Sequence, residues 1–191
     1  MADETSPREL RLYTERLRLR MPASTDAEAL YDVFADAEVM LGLGRTPVST
    51  VEDVQAIIES MLHGWRTDGL GAFVLETTID RQVVGQAGLM IFDTGDWMPS
   101  TWSKAGARAQ PELGWALASA HWGYGYATEA AAAIRDWAYE RPDIDRLVSL
   151  ISSDNLRSQR VAERLGAQPA RTVTPADSKR TTVVWIHRSS V

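Results

Sequence analysis

Trp122-Gly123-Tyr124-Gly125-Tyr126-Ala127-Thr128-Glu129-Ala130 is the stretch of this 191-residue chain whose residue types and spacing bear most directly on chemistry. It follows a strand-like segment, Glu112 to Ala118, and runs into an alanine-rich amphipathic helix. Two glycines and an alanine at a strand-to-helix turn let the backbone approach a ligand closely, without Cβ clashes. The first N–H groups of the helix then point at whatever occupies the turn, and such a helix start favours an anion, phosphate above all. The turn reads as a pyrophosphate cradle. Which phosphate-bearing ligand it holds is not determined by the turn alone.

The elements that must position this turn can be read along the chain. Residues 1 to about 10 are polar and expected to fray. Glu15 to Arg20 alternates polar and apolar like a half-buried strand, which Pro22 ends. Ser24-Thr25-Asp26 offers capping types for a helix with Ala29, Leu30, Val33 and Phe34 at helical spacing. A second helix is predicted over Val51 to Trp65, where Val54, Ile57, Ile58, Met61, Leu62 and Trp65 form an apolar stripe. Ala72 to Leu75 and Val83 to Ile91 read as strands joined by a turn near Asp80-Arg81. Asp93 to Gln110 has no periodicity and is expected to be a functional or contact loop, or an exposed insertion with locally packed tryptophans.

Beyond the glycine turn, a helix is predicted from about Tyr126 to Tyr139, with Ala130, Ala133, Ile134, Trp137 and Ala138 buried and Arg141-Pro142 as its stop. Leu147 to Ile151 is a strand. Asn155 to Leu165 is a helix ended by Gly166, the residue type expected just past a C-terminus. Val173 and Thr182 to Ile186 are closing strands, paired as a hairpin around Pro175 to Lys179. No repeat, linker or low-complexity run interrupts the chain, so residues 1–191 read as one mixed α+β domain.

Composition narrows the function classes. A hydrophobic content of 45% and a charged content of 24% are those of a globular protein, and the net charge of -6 argues against a general nucleic-acid binder. Cysteine is absent, which excludes disulfides, thiolate metal sites and a cysteine nucleophile. His63, His121 and His187 are widely separated and lack zinc-ligand spacing, so no metal is expected. The acidic N-terminus does not resemble a secretory signal, and no apolar run reaches the roughly 20 residues of a membrane span. A cytoplasmic protein with neither membrane nor nucleic-acid partner is the expectation.

Among phosphate ligands, Gly123-x-Gly125 is reminiscent of the dinucleotide fingerprint, but Thr128 stands where that motif wants a third Gly or Ala. The acidic residues about twenty positions on (Asp136, Glu140, Asp143, Asp145) lie in the helix or the loop before the next strand, rather than at that strand's end. No Gly-Lys-Ser/Thr follows, which excludes a P-loop. The run Glu112-Leu-Gly-Trp, then Trp122-Gly-Tyr-Gly-Tyr-Ala-Thr-Glu-Ala, Asn155-Leu-Arg-Ser158 and Glu163-Arg-Leu-Gly166 resembles the GNAT acetyl-coenzyme A transferases. Within that family it is most similar to the ribosomal-protein-alanine N-acetyltransferase (RimJ/RimL-like) branch, over nearly the whole chain from Thr14.

The resemblance implies a V-splayed mixed β-sheet flanked by helices, with acetyl-coenzyme A as co-substrate. The family's signature loop, Gln/Arg-x-x-Gly-x-Gly/Ala, maps to Trp122-x-x-Gly125-x-Ala127. Trp122 replaces the cationic or amide residue, so backbone N–H groups from Gly123 through Tyr124, Gly125, Tyr126 and Ala127 to Thr128 would carry pyrophosphate recognition. The pantetheine arm would lie between the Glu112 and Leu147 strands, its amides pairing with backbone near Trp115, Ala116 and Leu117. Asn155 would hold a pantetheine amide, or serve simply as a helix N-cap. Arg157 and Arg160 are near enough for the 3′-phosphate, and Arg160 is the candidate taken forward.

Acetyl transfer to an amine needs a base, because an alkyl ammonium with a pKa near that of lysine (~10.4) is unreactive at neutral pH. Glu112 is the candidate base, directly or through water; the competing reading is an exposed or arginine-paired strand glutamate. Ser158 is the candidate donor to the departing thiolate, against a helix serine bonded to a backbone carbonyl. Ala162 occupies the position where many relatives carry a tyrosine acid. The first two helices and the 93–110 segment should build the acceptor pocket, with Trp65, Trp97 and Trp102 as lining candidates or, alternatively, core or homodimer contacts. The expected activity is N-acetylation of a primary amine, on a protein N-terminus or a small molecule, by direct attack in a ternary complex. The alternative is a non-catalytic acyl-coenzyme A sensor or scaffold.

Overall fold

A computed structural model describes residues 10–176, 178 and 180–189. In chain order the elements are β1 (Arg11–Tyr13), β2 (Leu17–Arg20), α1 (Ala27–Phe34), α2 (Ala37–Leu43), α3 (Val51–Asp68), β3 (Ala72–Thr77), β4 (Val83–Asp93), β5 (Met98–Pro99), α4 (Trp102–Ala105), β6 (Ala109–Leu117), α5 (Tyr126–Tyr139), β7 (Leu147–Ser152), α6 (Leu156–Arg164), β8 (Gln168–Val173) and β9 (Thr182–His187). The sheet order is β1-β2-β3-β4-β6-β7-β9-β8, with β5 alongside β4. Among these pairings only β6–β7 is parallel, and it is held by a single ladder pair, Glu112 with Val148. By contrast, β4 and β6 pair over nine positions, from Gly85↔Leu117 to Asp93↔Ala109. The sheet is therefore a long antiparallel half and a shorter antiparallel half, hinged at Glu112.

Strand alternation assigns the two faces. Leu17, Leu19, Phe73, Leu75, Leu89, Ile91 and Leu113 bury one face against Ala130, Ala131, Ile134 and Ala138 of α5. On the other face Leu30, Val33, Phe34, Val54 and Ile58 of α1 and α3 cover Val74 and Ala116. Because Leu113 faces α5, Glu112 and Gly114 face the side of α1–α3. Local chemistry sets the helix ends. Thr50 and Asp53 form a reciprocal capping box for α3, which stops at the left-handed Gly69. Asp36 accepts the N–H of Glu38 (2.8 Å) and of Val39 (3.3 Å), starting α2.

Three sequence expectations change. The strand expected from Glu112 begins at Ala109, and the 93–110 segment is an ordered excursion: β5 pairs with β4, and α4 is capped by Thr101. The Asp68 carboxylate also accepts the Trp102 N–H (2.9 Å), tying α4 to the end of α3. Elements of two and four residues leave no readable periodicity. The short strand β1 and the seven-residue helix α2 went unread for the same reason. The buried stripe of α1 uses Ala27 in place of Ala29, because the helix starts after a 3₁₀ turn at Ser24–Asp26. Residues 1–9, Asp177 and Lys179, on which the frayed terminus and part of the last hairpin were expected, lie outside the described residues. No helix among the described residues is long and apolar enough to cross a membrane.

Candidate active site

The glycine turn delivers what its residue types promise. Gly123 (φ 84°) and Gly125 (φ 85°) both take left-handed conformations, and Gly125 is the N-cap of α5. No side chain caps the helix, and its first backbone bond runs from Glu129 N to Gly125 O (3.1 Å). A cleft of about 330 Å³ opens at this helix start, lined by Gly123, Gly125, Tyr126, Ala127 and Thr128. The Thr128 hydroxyl, buried at the cleft wall, has no hydrogen-bond partner among the described residues. An orphaned hydroxyl beside free helix N–H groups fits a polyanion such as the coenzyme A pyrophosphate.

The same cleft is lined by Trp115, Ala116 and Leu117 of β6 and by Asn155, Ser158 and Arg160 of α6. Beyond the Glu112–Val148 pair, β6 has no ladder on its β7 side, so that edge faces the cleft. The Leu117 carbonyl already accepts the Trp122 indole N–H (2.9 Å). Trp122 also lines the cleft, and the Arg157 guanidinium lies 4.3 Å from its ring centroid while pairing with Glu38 (2.6 Å). The cation that the Trp122 exchange removes from the loop is thus brought back by α6. Arg160 has no ion-pair partner among the described residues and remains available to a ligand.

Asn155 is the N-cap of α6. Its Oδ1 accepts the Ser158 N–H (3.1 Å), and its Nδ2 donates to the Gly42 carbonyl (2.9 Å). The amide therefore ties α2 across the mouth of the cleft, assisted by Arg180 donating to Leu41 O (2.6 Å). The Ser158 hydroxyl has no hydrogen-bond partner among the described residues and faces the cleft. Ala162 is fully buried against Ile151, Ala167 and Trp185. Tyr124 is 60% exposed, its ring stacks on Tyr126 (5.8 Å between centroids), and it is not among the residues that line the cleft. Only its backbone belongs to the turn.

Glu112 sits at the vertex of the splay, three positions before Trp115 on β6, and is not among the residues that line the cleft. It is half-buried, its Oε1 accepts the Leu150 N–H (3.2 Å), and Met90 stands opposite it on β4. Burial pushes its pKa up to about 7, against the opposing pull of the Leu150 hydrogen bond and the Arg45 charge. A carboxyl titrating near neutrality can exchange protons at working pH. Trp97 packs on Val148 and Val184, on the Glu112 face, in the left-handed conformation (φ 57°) that bulky residues avoid. Trp65 and Trp102 are corrected: both pack against the α5-side core. Trp65 meets Phe73 edge-on (4.9 Å) and donates to Ala72 O (2.9 Å).

A clamp on the glycine turn was not read from the sequence. Glu129, in the first turn of α5, accepts from Thr14 Oγ1 (2.5 Å), Arg16 N (2.8 Å) and Arg16 Nε (2.7 Å), and Arg16 also donates to Tyr124 O (2.9 Å). Burial opposes ionisation of Glu129, but these donors outweigh it and hold its pKa below the ordinary value. The partners are more than a hundred residues apart, so no local signal could find them. Among the described residues, no group of three or more His, Asp or Glu side chains is arranged to hold a metal ion.

A mixed sheet that splays beside an uncapped helix start fits an acyl-coenzyme A-dependent transferase. Residues 16–168 match the acetyltransferase (GNAT) domain family, and the chain belongs to that family. It is 28% identical to the uncharacterized N-acetyltransferase p20 of Bacillus licheniformis over 160 residues, 82% of each chain. The structure of an acetyltransferase from Agrobacterium tumefaciens superposes with a TM-score of 0.76 at 29% identity, covering 99% of this chain and 100% of that one. The microcin C7 self-immunity acetyltransferase MccE, solved with acetyl-CoA and AMP, shares the fold at 17% identity (TM-score 0.72; 91% of this chain, 92% of that one). The chain is an acetyltransferase that uses acetyl-coenzyme A.

Proposed function

We propose that the chain N-acetylates a primary amine, on a protein N-terminus or a small molecule, in the manner of the RimJ/RimL-like branch, by direct attack within a ternary complex. The observation that carries this reading is the Glu112 carboxyl at the vertex of the splay, held by the Leu150 N–H and carried by the strand whose residues Trp115, Ala116 and Leu117 line the cleft. Acetyl-coenzyme A supplies the activated acetyl thioester. The turn N–H groups and the Thr128 hydroxyl bind its pyrophosphate, and Arg160 reaches its 3′-phosphate. The open edge of β6 at Trp115, Ala116 and Leu117 receives the pantetheine arm. Asn155 shapes the cleft mouth through Gly42, and with one bond at each end its amide keeps one N–H and one oxygen lone pair for the arm.

Glu112 in its carboxylate form takes a proton from the acceptor ammonium, directly or through water. The free Ser158 hydroxyl donates a hydrogen bond to the departing sulfur. With no cysteine in the chain, attack by the amine itself is the economical route. Calorimetric titration with acetyl-coenzyme A, followed by thiol-release assays against peptide N-termini and small amines, tests the reading. Micromolar binding with turnover of an amine supports it. Binding without turnover of any amine would favour the sensor or scaffold alternative.

A further inference from the structure

We propose that Ser149, backed by His187, pins the vertex of the β6–β7 splay and thereby sets the hydrogen bond that holds the Glu112 carboxylate. Past the Glu112–Val148 pair the parallel ladder stops, and two bonds that each join a side chain to a backbone group link the strands there. Ser149 Oγ donates to the Leu113 carbonyl (2.5 Å) on the α5 face. Leu150 N donates to Glu112 Oε1 (3.2 Å) on the opposite face. The two bonds come from consecutive residues of β7, so the position of Ser149 sets that of the Leu150 N–H.

Ser149 is 1% exposed and His187 2%. Ser149 stands opposite Trp185 in the β7–β9 register and Leu147 opposite His187, so Ser149 and His187 are diagonal neighbours on one face. Their Oγ and Nε2 are 2.8 Å apart. Since the Ser149 proton goes to Leu113, the hydroxyl accepts from His187, and the network assigns that proton to Nε2. Burial, reinforced by the Arg135 charge, pushes the His187 pKa down to about 4, so the imidazole stays a neutral donor at working pH. Tyr139 of α5 holds the other side of this residue by donating to the His187 carbonyl (2.7 Å).

The charged and titratable surroundings are otherwise few. Arg45, after α2, is the charge acting on Glu112, with Met90 presented by β4 and the Leu150 N–H by β7. Around His187, α5 presents Arg135 and Tyr139, and the segment before β7 brings Asp143, Asp145 and Arg146 to the same end of the sheet. The Leu150 bond favours the ionised form of Glu112. Without the Ser149 pin, β7 is free to move away from β6, that bond lengthens, and the carboxyl becomes harder to ionise. Ser149 and His187 are thus positioning residues acting through Glu112, and the inference rests on Glu112 being the base.

The test is a carboxyl ¹³C NMR titration of glutamate-labelled protein without substrate, the Glu112 resonance being identified by its loss in Glu112→Gln. In Ser149→Ala the midpoint should move up by about half a unit, a roughly threefold loss of carboxylate at pH values below the midpoint. Ser149→Thr, which keeps the hydroxyl, should restore it. Ser149→Cys, a weak donor of similar size, should move it in the same direction as alanine and decides the matter if the alanine variant does not fold. A lower melting temperature with the midpoint unmoved in both variants would reduce Ser149 to a purely structural contact and overturn the proposal. Full turnover by Glu112→Gln alongside a moved midpoint would instead overturn the base assignment and leave the pin standing.

Discussion

In the proposed mechanism Glu112 and Ser158 divide the proton work at the residue scale, and each role has a separate signature. A carboxyl with a pKa of about 7 is half-ionised at neutral pH, so it accepts a proton readily and surrenders it again. Glu112→Gln should lower kcat at pH 7 by about 10²-fold, within the range typical of a lost general base, while calorimetry finds the acetyl-coenzyme A affinity nearly unchanged. The Ser158 hydroxyl has no internal partner to lose, so Ser158→Ala should cost little stability and reduce kcat about tenfold more than it weakens cofactor binding. An equal loss in both quantities would make Ser158 a binding residue only.

Elements supply what these residues cannot supply alone. The start of α5 binds an anion only if the glycine turn holds its left-handed conformations, and the Glu129–Arg16–Thr14 clamp fastens that turn to the β1–β2 connection. Gly125→Ala forces a Cβ into a φ of 85° and brings it within 3.4 Å of Arg16. Left-handed strain of about 1–2 kcal/mol should appear as a lower melting temperature together with about tenfold weaker acetyl-coenzyme A binding. Glu129→Ala leaves the turn residues intact but releases the clamp, so it should weaken binding severalfold with less effect on kcat at saturating cofactor. Unchanged affinity in Glu129→Ala would mean that the turn holds its shape without β1 and β2.

Two titratable groups, the half-buried Glu112 on β6 and the buried His187 on β9, bracket the stability of the whole molecule. His187 has a folded pKa of about 4, below its ordinary value, so its contribution is complete above the unfolded value and is lost as pH falls towards 4. Glu112 has a folded pKa of about 7, above its ordinary value, so the folded state binds the extra proton and stability is lost as pH rises from the unfolded value through 7. Melting temperature should therefore fall on both flanks. Glu112→Gln should remove the alkaline fall, raising stability at pH 8 by about 2 kcal/mol, and leave the acid-side fall in place. If Glu112→Gln melts lower than the parent protein at pH 8, the raised pKa of Glu112 is wrong. The combination would also show that the base is retained at a cost in stability.

By itself the sequence determined the parts whose signals are local. The glycine turn, the helices α3, α5 and α6, the strands β3, β4 and β7, and the order that places Glu112 before the turn and Asn155-x-x-Ser158 after it all rest on neighbouring residues. Caps, left-handed glycines and periodic burial act within a few positions, so they leave a readable trace. Tertiary structure alone decided the single-rung seam at Glu112, the Glu129–Arg16 clamp, the Ser149–His187 pin and the Asn155–Gly42 tie across the cleft mouth. It also assigned Trp65 and Trp102 to the α5-side core and Trp97 to the Glu112 face, although the three share one residue type. These outcomes depend on which strands become neighbours and how far a parallel pair runs before it parts. Such pairings join residues tens to more than a hundred positions apart, and the burial that raises the Glu112 pKa does not exist until they have formed.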